Sequence, residues 1–440
     1  MTTEEIASRA KKRLNIEELN PMQKEMAKAK VPGKILLLAP TGSGKTLAFA
    51  IPLLRALPPS DGNARTLVIA PTRELVLQIF EVLRILAAPE YKTVALYGGH
   101  RVETETNSLR AGADIVVATP GRLLDHLHRQ HISLAQCSTL VLDEYDKSLD
   151  LGFHDQLRDI VKSIPHLSTL ILTSATTAAS IPEYINTSGL ERHDFNNDSE
   201  VETPKIELFK VESPARDKLD TLEALLRDLQ EQRTIIFVNH REAAERVYTA
   251  LAKMGFPVAL YHGGLEQADR EKALILFENG TADILVATDL AARGLDITDV
   301  EAVVHYHLPT SAEAFTHRNG RTGRAGAEGT AYVIVSEADK TPDFLTLDKN
   351  YVPDNSAEII PASMATLFIN AGKKEKISKG DIAGYLMQKG GLTKDEVGRI
   401  TVKDHCAYVA VPASKARATA VAVAPHKLKN TRVRVTQLKD

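Results

Sequence analysis

Between residues 30 and 190, short apolar runs alternate with longer segments of helical spacing. The runs KILLLAP, TLVIAP, TVALYG, DIVVATP, TLVLDE and TLILTSAT are each a handful of aliphatic residues bounded by polar or turn residues. Runs that short, apolar on both faces, predict buried parallel strands. Between them, TLAFAIPLLRAL and ELVLQIFEVLRILA repeat apolar residues at helical spacing, so the unit is strand, helix, strand, and its repetition predicts a doubly wound sheet. Polar residues and a proline in ERHDFNNDSEVETPK, 191 to 205, read as a linker. The alternation then restarts: RTIIFVN, PVALYHG, ADILVAT, AVVHYHL and TAYVIVS read as strands, with REAAERVYTALAKMG and QADREKALILFENG as helices.

The pattern predicts two α/β halves, 1–200 and 205–345, each large enough to fold by itself, with ligands bound at the carboxyl ends of the strands. Residues 346 to 362 read as a second connector. Beyond it, TLFIN, a helix around DIAGYLMQKG, GRITV, CAYVAV, a helix around SKARATAVAVA and TRVRVTQL predict β-α-β-β-α-β. That is the order of a ferredoxin-like or RNA-recognition domain over 362–440.

Composition excludes some classes and exposes an asymmetry. With 43% hydrophobic and 25% charged residues the chain is of ordinary globular make-up. Its longest apolar stretches fall short of the ~18 residues of a membrane span, and the start MTTEEIASRAKKR lacks a signal peptide's apolar region. Cys137 and Cys406 lie too far apart in sequence for a disulfide framework or a zinc site, which fits a reducing, cytoplasmic setting. The net charge of −3 conceals a division: residues 361–440 carry 15 Lys and Arg against 6 Asp and Glu, so the tail stands at +9 and the rest at −12. A folded module of that charge suits a polyanion, the plain alternative being a solvated basic surface.

Two motifs carry chemistry. Ala39-Pro-Thr-Gly-Ser-Gly-Lys-Thr46 follows a strand and precedes a helix. Gly42 and Gly44 allow a turn tight enough to aim N–H groups at phosphate oxygens, and the helix adds its positive end. Lys45 supplies a point charge to the β and γ phosphates, Thr41 and Ser43 line the loop, and the Thr46 hydroxyl suits Mg²⁺. Ala39 stands where the pattern has its first glycine. Ninety-eight residues after Lys45, a strand ends in Asp143-Glu144-Tyr145-Asp146. Acidic residues at the end of a buried strand imply metal binding or proton transfer, with Asp143 suited to Mg²⁺ and Glu144 to the attacking water. A chance Gly-Lys-Thr turn and a solvated strand end are the bland readings of each motif, and their pairing at this spacing argues against both.

In these motifs the chain resembles the DEAD-box RNA helicases, with the tetrad spelled DEYD, over about residues 20 to 330. The resemblance implies two tandem RecA-like domains that close around ATP and single-stranded RNA. It casts Gln23 in NPMQ as the adenine reader. It makes Thr72 and Arg73 of PTREL, Gly98 and Gly99, and Thr119, Pro120, Gly121 and Arg122 of TPGRL contacts to the RNA backbone. Ser174 and Thr176, in the Ser-Ala-Thr motif, couple hydrolysis to strand separation, with Asp146 and His317. In the second half, IIFVN, HGGLEQADR, ATDLAARGLDI and HRNGRTGRAG align: Thr288 touches RNA, Arg293 pairs between domains, Asp296 contacts the ribose, and Arg321 and Arg324 act as arginine fingers. Tyr145 departs from the family's alanine and is expected to put a bulky phenol beside the metal-binding carboxylate, with hydrolysis retained. Ile6 stands near the position of the family's adenine-stacking aromatic, which offers apolar contact without stacking.

The tail resembles the RNA-recognition domain of bacterial DEAD-box proteins of the DbpA type, whose targets include ribosomal RNA. Phe368 and Tyr408 are the strand candidates for base stacking, with core packing as the alternative, and Lys403, Lys427, Lys429, Arg432 and Arg434 are candidates to face phosphate. The sequence thus implies an ATP-dependent, Mg²⁺-requiring RNA helicase, monomeric, without membrane contact, acting in ribosome assembly or RNA metabolism. A slow-turnover RNA clamp and a DNA helicase are the competing readings; Glu144 argues against the first, and the spellings PTREL and RTGRAG against the second.

Overall fold

A computed structural model describes residues 1–40, 42–175, 180–196, 206–230, 232–289, 300–323, 329–354 and 356–438. The chain divides into two compact units, Met1–Thr203 with Gly294–Asp296, and Pro204–Arg293 with Ile297–Asp440. In the first, the described elements run α1 (Thr3–Leu14), α2 (Pro21–Met26), β1 (Lys34–Leu38), α3 (Lys45–Ala56), β2 (Thr66–Ile69), α4 (Arg73–Ala87), β3 (Thr93–Leu96), α5 (Val102–Arg110), β4 (Ile115–Ala118), α6 (Pro120–His128), β5 (Thr139–Leu142), α7 (Tyr145–Asp150), α8 (His154–Lys162), β6 (Thr169–Ser174) and β7 (Leu190–Asp194). They form one parallel sheet in the order β3-β4-β2-β5-β6-β1-β7.

Strands β2, β4 and β5 are buried at every residue, as helices on both faces require. One apolar layer gathers Ile35, Leu37, Phe49, Ile51, Val68, Val141 and Ile171; the other gathers Leu36, Leu38, Leu67, Leu140, Leu142 and Leu172. Odd and even strand residues part to opposite faces because the side-chain period is two. Ile6 is wholly buried in the first layer with Ala10 and Met22, so it is spent on packing α1 and offers no surface to a base. Tyr145 is drawn into the second layer beside Leu142 and Leu157, where loss of hydration, then the charge of Asp146, pushes its phenol up to about 12. From the first turn of α7 the ring is thus packed into the core.

The second unit contains β8 (Ile206–Ser213), α9 (Leu219–Asp228), β9 (Thr234–Val238), α10 (Arg241–Met254), β10 (Val258–Tyr261), α11 (Gln267–Glu278), β11 (Ile284–Thr288), β12 (Ala302–His305), α12 (Ala312–Asn319), β13 (Gly329–Ser336) and β14 (Asn350–Tyr351). Its parallel sheet has the order β10-β11-β9-β12-β13-β8-β14. Then follow β15 (Met364–Ile369), α13 (Lys379–Gly390), β16 (Ile400–Val402), β17 (Ala407–Pro412), α14 (Ala413–Val423), β18 (Lys427–Leu428), β19 (Thr431–Arg432) and β20 (Val435–Gln437). Here β16-β17-β15-β20 form an antiparallel sheet.

Three sequence expectations need correction. The supposed linker begins with a strand, β7, which pairs in register with β1 from Lys34↔Leu190 to Leu38↔Asp194; its remainder from 197 lies outside the described residues. An edge strand needs backbone pairing more than an apolar pattern, so its polar side chains concealed it. The second connector is likewise tied down: β14 pairs with β8, and α9 and the turn after it hold the segment through Arg227 Nη1 to Ala357 O at 2.8 Å and Ile360 N to Gln230 Oε1 at 2.6 Å. TRVRVTQL is two strands, because Thr431–Arg432 pairs back onto Lys427–Leu428 while Val435–Gln437 joins β15. Its alternation keeps period two throughout, so the change of partner leaves no trace in the pattern.

Cys137 is fully buried, donates to Thr139 O at 3.4 Å, and burial pushes its thiol up to about 12. A thiol reagent at pH 8 should therefore titrate one cysteine, Cys406, in the native protein and two after unfolding. Tyr145→Ala should cost about 3 kcal/mol or more through the cavity it leaves, lowering the melting temperature by roughly 6–12 °C.

Candidate functional site

Parallel strands all end at one edge, and strand order decides which loops become neighbours there. In the first unit β5-β6-β1 are adjacent, and so are β3-β4-β2. The phosphate-loop motif follows β1, DEYD follows β5, and Ser174 ends β6. PTREL follows β2, Gly98-Gly99 follows β3, and TPGRL follows β4. The edge is thus divided into two neighbouring groups of loops.

In the first group, Gly42 and Gly44 have φ of 83° and 86°, the left-handed region that a side chain would strain. Gly44 is the N-cap of α3 and has no side chain to cap its first turn, the arrangement at a helix N-terminus that suits an anion. Ala39 needs no such freedom: it is buried in the core and donates N–H to Ser174 O at 3.1 Å, extending β1 by one residue. Lys45 folds back on the loop, its Nζ 2.6 Å from Ala39 O and 2.9 Å from Pro40 O. Burial pushes this ammonium down to about 8, against the pull of Glu144 and Asp143. Ser43 Oγ donates to Pro40 O at 2.8 Å, Thr46 is half-buried in the first turn of α3, and Thr41 lies outside the described residues.

Helix α2 clasps this loop. Its N-cap Asn20 and Gln23 form a reciprocal capping box, and the two side chains donate onward, Asn20 Nδ2 to Ser43 O at 2.9 Å and Gln23 Nε2 to Gly44 O at 3.3 Å. A Cβ on Gly44 would come within 2.6 Å of Gln23 Nε2. Gln23 therefore senses the phosphate loop directly, whatever else it touches.

Asp143, Glu144 and Asp146 are all buried. Thr173 Oγ1 donates to Asp143 Oδ1 at 2.5 Å and accepts from Glu144 N at 3.0 Å. Ser174 Oγ donates to Asp146 Oδ2 at 2.7 Å, so β6 holds the tetrad by two consecutive hydroxyls. Lys147 Nζ, also buried, lies 2.7 Å from Glu144 Oε1. Burial and the Glu144 charge raise Asp143 above the usual carboxylate range, while Thr173 and Lys45 oppose that rise. Asp146 is raised by burial, which Ser174 moderates. Glu144 has φ 51° and ψ 51°, a left-handed conformation costing of order 1 kcal/mol in a non-glycine residue. Thr173 and Lys147 were not singled out from the sequence; threonine and lysine are too common near strand ends to stand out.

In the second group, Thr72 caps α4, accepting from Leu75 N at 3.3 Å. The Arg73 guanidinium lies against Gly98, where a Cβ would meet Nη2 at 3.1 Å, and Gly99 has φ 96°. Thr119 and Pro120 open α6, and a Cβ at Gly121 would meet nothing within 4 Å. Arg122 Nε donates to Tyr97 O at 3.0 Å and Nη2 to His100 O at 2.8 Å. This group is backbone, hydroxyl and guanidinium, the donor set that suits a sugar-phosphate chain.

In the second unit, Thr288 ends β11 and is buried. Helix α12 carries His317 and ends at Asn319, and buried Arg321 donates Nε to His317 O at 3.3 Å. Arg293, Asp296, Arg324 and, in the first unit, Thr176 lie outside the described residues. A residue not anticipated, Arg318, organises this edge. Wholly buried, it grips Asp289 at 2.5 and 2.7 Å, donates to His307 O at 2.7 Å and Asn239 Oδ1 at 2.8 Å, and lies over the Phe237 ring. It thereby joins the ends of β9, β11 and β12. His305 beside it stays neutral, pushed down to about 3 by burial and then by Arg318.

The tail candidates separate. Lys403 is paired with Glu271 on α11 and lies over Tyr408, and Lys429 is paired with Asp381 at 2.7 Å and with Lys376 O, so both candidates carry surface ion pairs within the protein. Lys427, Arg432 and Arg434 are exposed. Phe368 and Tyr408 are cross-strand partners, half-buried, with rings 5.5 Å apart. Thr366, on the same face, is fully buried and takes hydrogen bonds with Asn279 Nδ2 at 3.1 Å and Thr281 Oγ1 at 2.8 Å, and Arg399 pairs with Glu278 at 3.0 Å. The sheet face expected to stack bases is joined to the end of α11.

Comparison with known proteins follows the same divisions. Residues 20–184 match the DEAD/DEAH box helicase family, 217–326 the helicase conserved C-terminal domain and 366–437 the DbpA RNA binding domain. The chain is 38% identical over 435 residues to the ATP-dependent RNA helicase DbpA of Escherichia coli K12, covering 96% of this chain and 94% of that protein. It is 32% identical over 473 residues to DbpA of Bacillus subtilis 168, covering 98% and 96%. Among solved structures, S. cerevisiae Dbp5 bound to RNA and ADP BeF3 superposes with a TM-score of 0.70 at 26% identity, covering 79% of this chain and 93% of that one. With its phosphate loop, its acidic tetrad and its basic C-terminal module, the chain belongs to the DEAD-box ATP-dependent RNA helicases that carry a DbpA-type RNA-binding domain.

Proposed function

We propose that the protein separates short RNA duplexes by closing its two α/β units around ATP and one RNA strand, bending that strand, and reopening when ATP is hydrolysed. What carries the reading is the divided sheet edge of the first unit, phosphate loop and acidic tetrad on one side, backbone-binding donors on the other. Thr41, Gly42, Ser43, Gly44, Lys45 and Thr46 hold the phosphates, Gln23 reads the base and Asp296 the ribose. Glu144 orients the attacking water, its carboxylate kept in place by Lys147. Asp143 and Thr46 are hard oxygen donors, the chemistry that suits magnesium, which when bound there would neutralise charge on the β and γ phosphates. Arg321 and Arg324 supply positive charge to the transition state on closure; Arg321 must first leave its place against His317 O.

Thr72, Arg73, Gly98, Gly99, Thr119, Pro120, Gly121, Arg122 and Thr288 hold the RNA backbone, which implies little sequence preference. Asp146, Ser174, Thr176 and His317 couple hydrolysis to RNA binding; the Ser174–Asp146 hydrogen bond ties the strand end of β6 to the tetrad. In the tail, the loop after β15 and the β18–β19 hairpin are fastened together by Asn370 N to Arg434 O at 3.2 Å and Lys429 Nζ to Lys376 O at 2.9 Å. This end gathers Lys373, Lys374, Lys379, Lys427, Arg432 and Arg434, all exposed, and is the surface for a structured RNA such as ribosomal RNA. No helix among the described residues is long and apolar enough to cross a membrane, and a cytoplasmic monomer acting in ribosome assembly fits this make-up.

Purified full-length protein should hydrolyse ATP at least tenfold faster with RNA than with a DNA strand of the same sequence. Lys45→Ala should lose more than a hundredfold, and Tyr145→Ala should not gain. Removing residues 361–440 should raise the RNA concentration for half-maximal rate roughly tenfold, about 1.4 kcal/mol, and flatten its salt dependence. ATP binding without RNA-stimulated turnover would establish an RNA clamp instead, and equal stimulation by DNA would overturn the RNA reading.

A further inference from the structure

Glu105, on α5, is buried at 3% exposure yet belongs to no motif of the sequence. Its two carboxylate oxygens hydrogen-bond to a backbone N–H and to an imidazole, and lie within ion-pair reach of a second imidazole and a guanidinium. Oε1 accepts from Tyr97 N at 2.7 Å and lies 3.1 Å from His100 Nε2. Oε2 lies 2.9 Å from Arg122 Nε and 2.8 Å from His126 Nε2. Tyr97 and His100 bracket Gly98-Gly99, and Arg122 ends the Thr119–Arg122 turn, so one carboxylate spans two of the loops assigned to RNA. Arg122 repeats the link with its own bonds to Tyr97 O and His100 O.

The support behind Glu105 is itself ordered. His126, fully buried, offers Nε2–H to Glu105, and its Nδ1 then accepts from His131 Nδ1 at 3.1 Å. His131 Nδ1 also lies 3.3 Å from Thr106 Oγ1, which donates its own hydrogen to Val102 O at 3.0 Å. A buried carboxylate costs several kcal/mol in desolvation unless geometry repays it, and here the partners that repay it are at the loop ends and not in the core.

We propose that Glu105 is a positioning residue for RNA: it holds Arg122 and the Gly98-Gly99 turn in the one arrangement in which both meet a sugar-phosphate chain, without touching RNA itself. The inference rests on the RNA contacts proposed above. A glutamine at this position keeps the volume but has one acceptor where the carboxylate has two. Whichever way the amide turns, either Arg122 or the Tyr97 N–H then faces another donor, whereas His126 can adapt by exchanging tautomers.

The test measures RNA-stimulated ATPase of the full-length protein against a single-stranded RNA at several salt concentrations, with the melting temperature beside it. Glu105→Gln should raise the RNA concentration for half-maximal rate about tenfold and flatten its salt slope by about 0.7, one lost single-strand phosphate contact. The KM for ATP and the rate at saturating RNA should stay near the parent values, and the melting temperature should fall by only a few degrees, the cost of one buried donor without its acceptor. Glu105→Ala should cost as much or more, but only while Arg122 is present: in an Arg122→Ala background either Glu105 change should add less than twofold. If Arg122→Ala weakens RNA binding and Glu105→Gln does not, or if the two add independently, Glu105 is structural and the proposal is wrong. If Arg122→Ala leaves RNA binding unchanged, the RNA contacts assigned to this loop fail, and the role of Glu105 falls with them.

Discussion

Parallel pairing is the constraint on which the rest depends. Every strand of the first unit's sheet runs the same way, so every carboxyl end opens on one edge and each following loop must be used or covered there. The order β3-β4-β2-β5-β6-β1 then makes neighbours of segments far apart in the chain. Lys45 and Asp143 come within electrostatic reach although 98 residues separate them, and the burial of both makes each sensitive to the other.

A buried edge that collects charge has to balance it. Asp143, Glu144 and Asp146 would repel one another out of water, and two lysines and two hydroxyls answer them: Lys45, Lys147, Thr173 and Ser174. Because Thr173 and Ser174 are consecutive on β6, any movement of that strand end is felt at both ends of the tetrad. The left-handed Glu144 is the strained member of this arrangement, and strain that the surroundings hold in place is commonly found where chemistry happens. On the neighbouring loops Glu105 shows the opposite economy, one carboxylate set among a backbone N–H, two imidazoles and a guanidinium.

The second unit solves the same problem with one arginine. Arg318 binds three strand ends at once, and burial, aided by its permanent charge, keeps His305 neutral beside it. The tail uses its sheet face as a joint. Thr366, Arg399 and Lys403 engage Asn279, Glu278 and Glu271, on α11 and just past it. The ion pairs Lys403–Glu271 and Arg399–Glu278 set basic residues of the tail against acidic residues of α11.

What the sequence determined by itself is what short-range chemistry dictates. Strand and helix alternation follows from period two and period 3.6, the phosphate loop from glycines that must adopt positive φ, and the acidic tetrad from the cost of ending a buried strand in carboxylates. These signals are local, so they survive in one dimension. Tertiary structure alone decided which way Tyr145 turns, that Ile6 is spent in the core, that polar Leu190–Asp194 is an edge strand, and that Lys403 and Lys429 are committed to partners. It also raised Thr173, Lys147, Glu105 and Arg318 to importance. Lys147 answers Glu144 only three residues away, a pairing hidden by how common lysine is; each of the others depends on a partner farther along the chain, and a hydrogen bond or an ion pair made across that distance leaves no period, spacing or composition for a sequence to display.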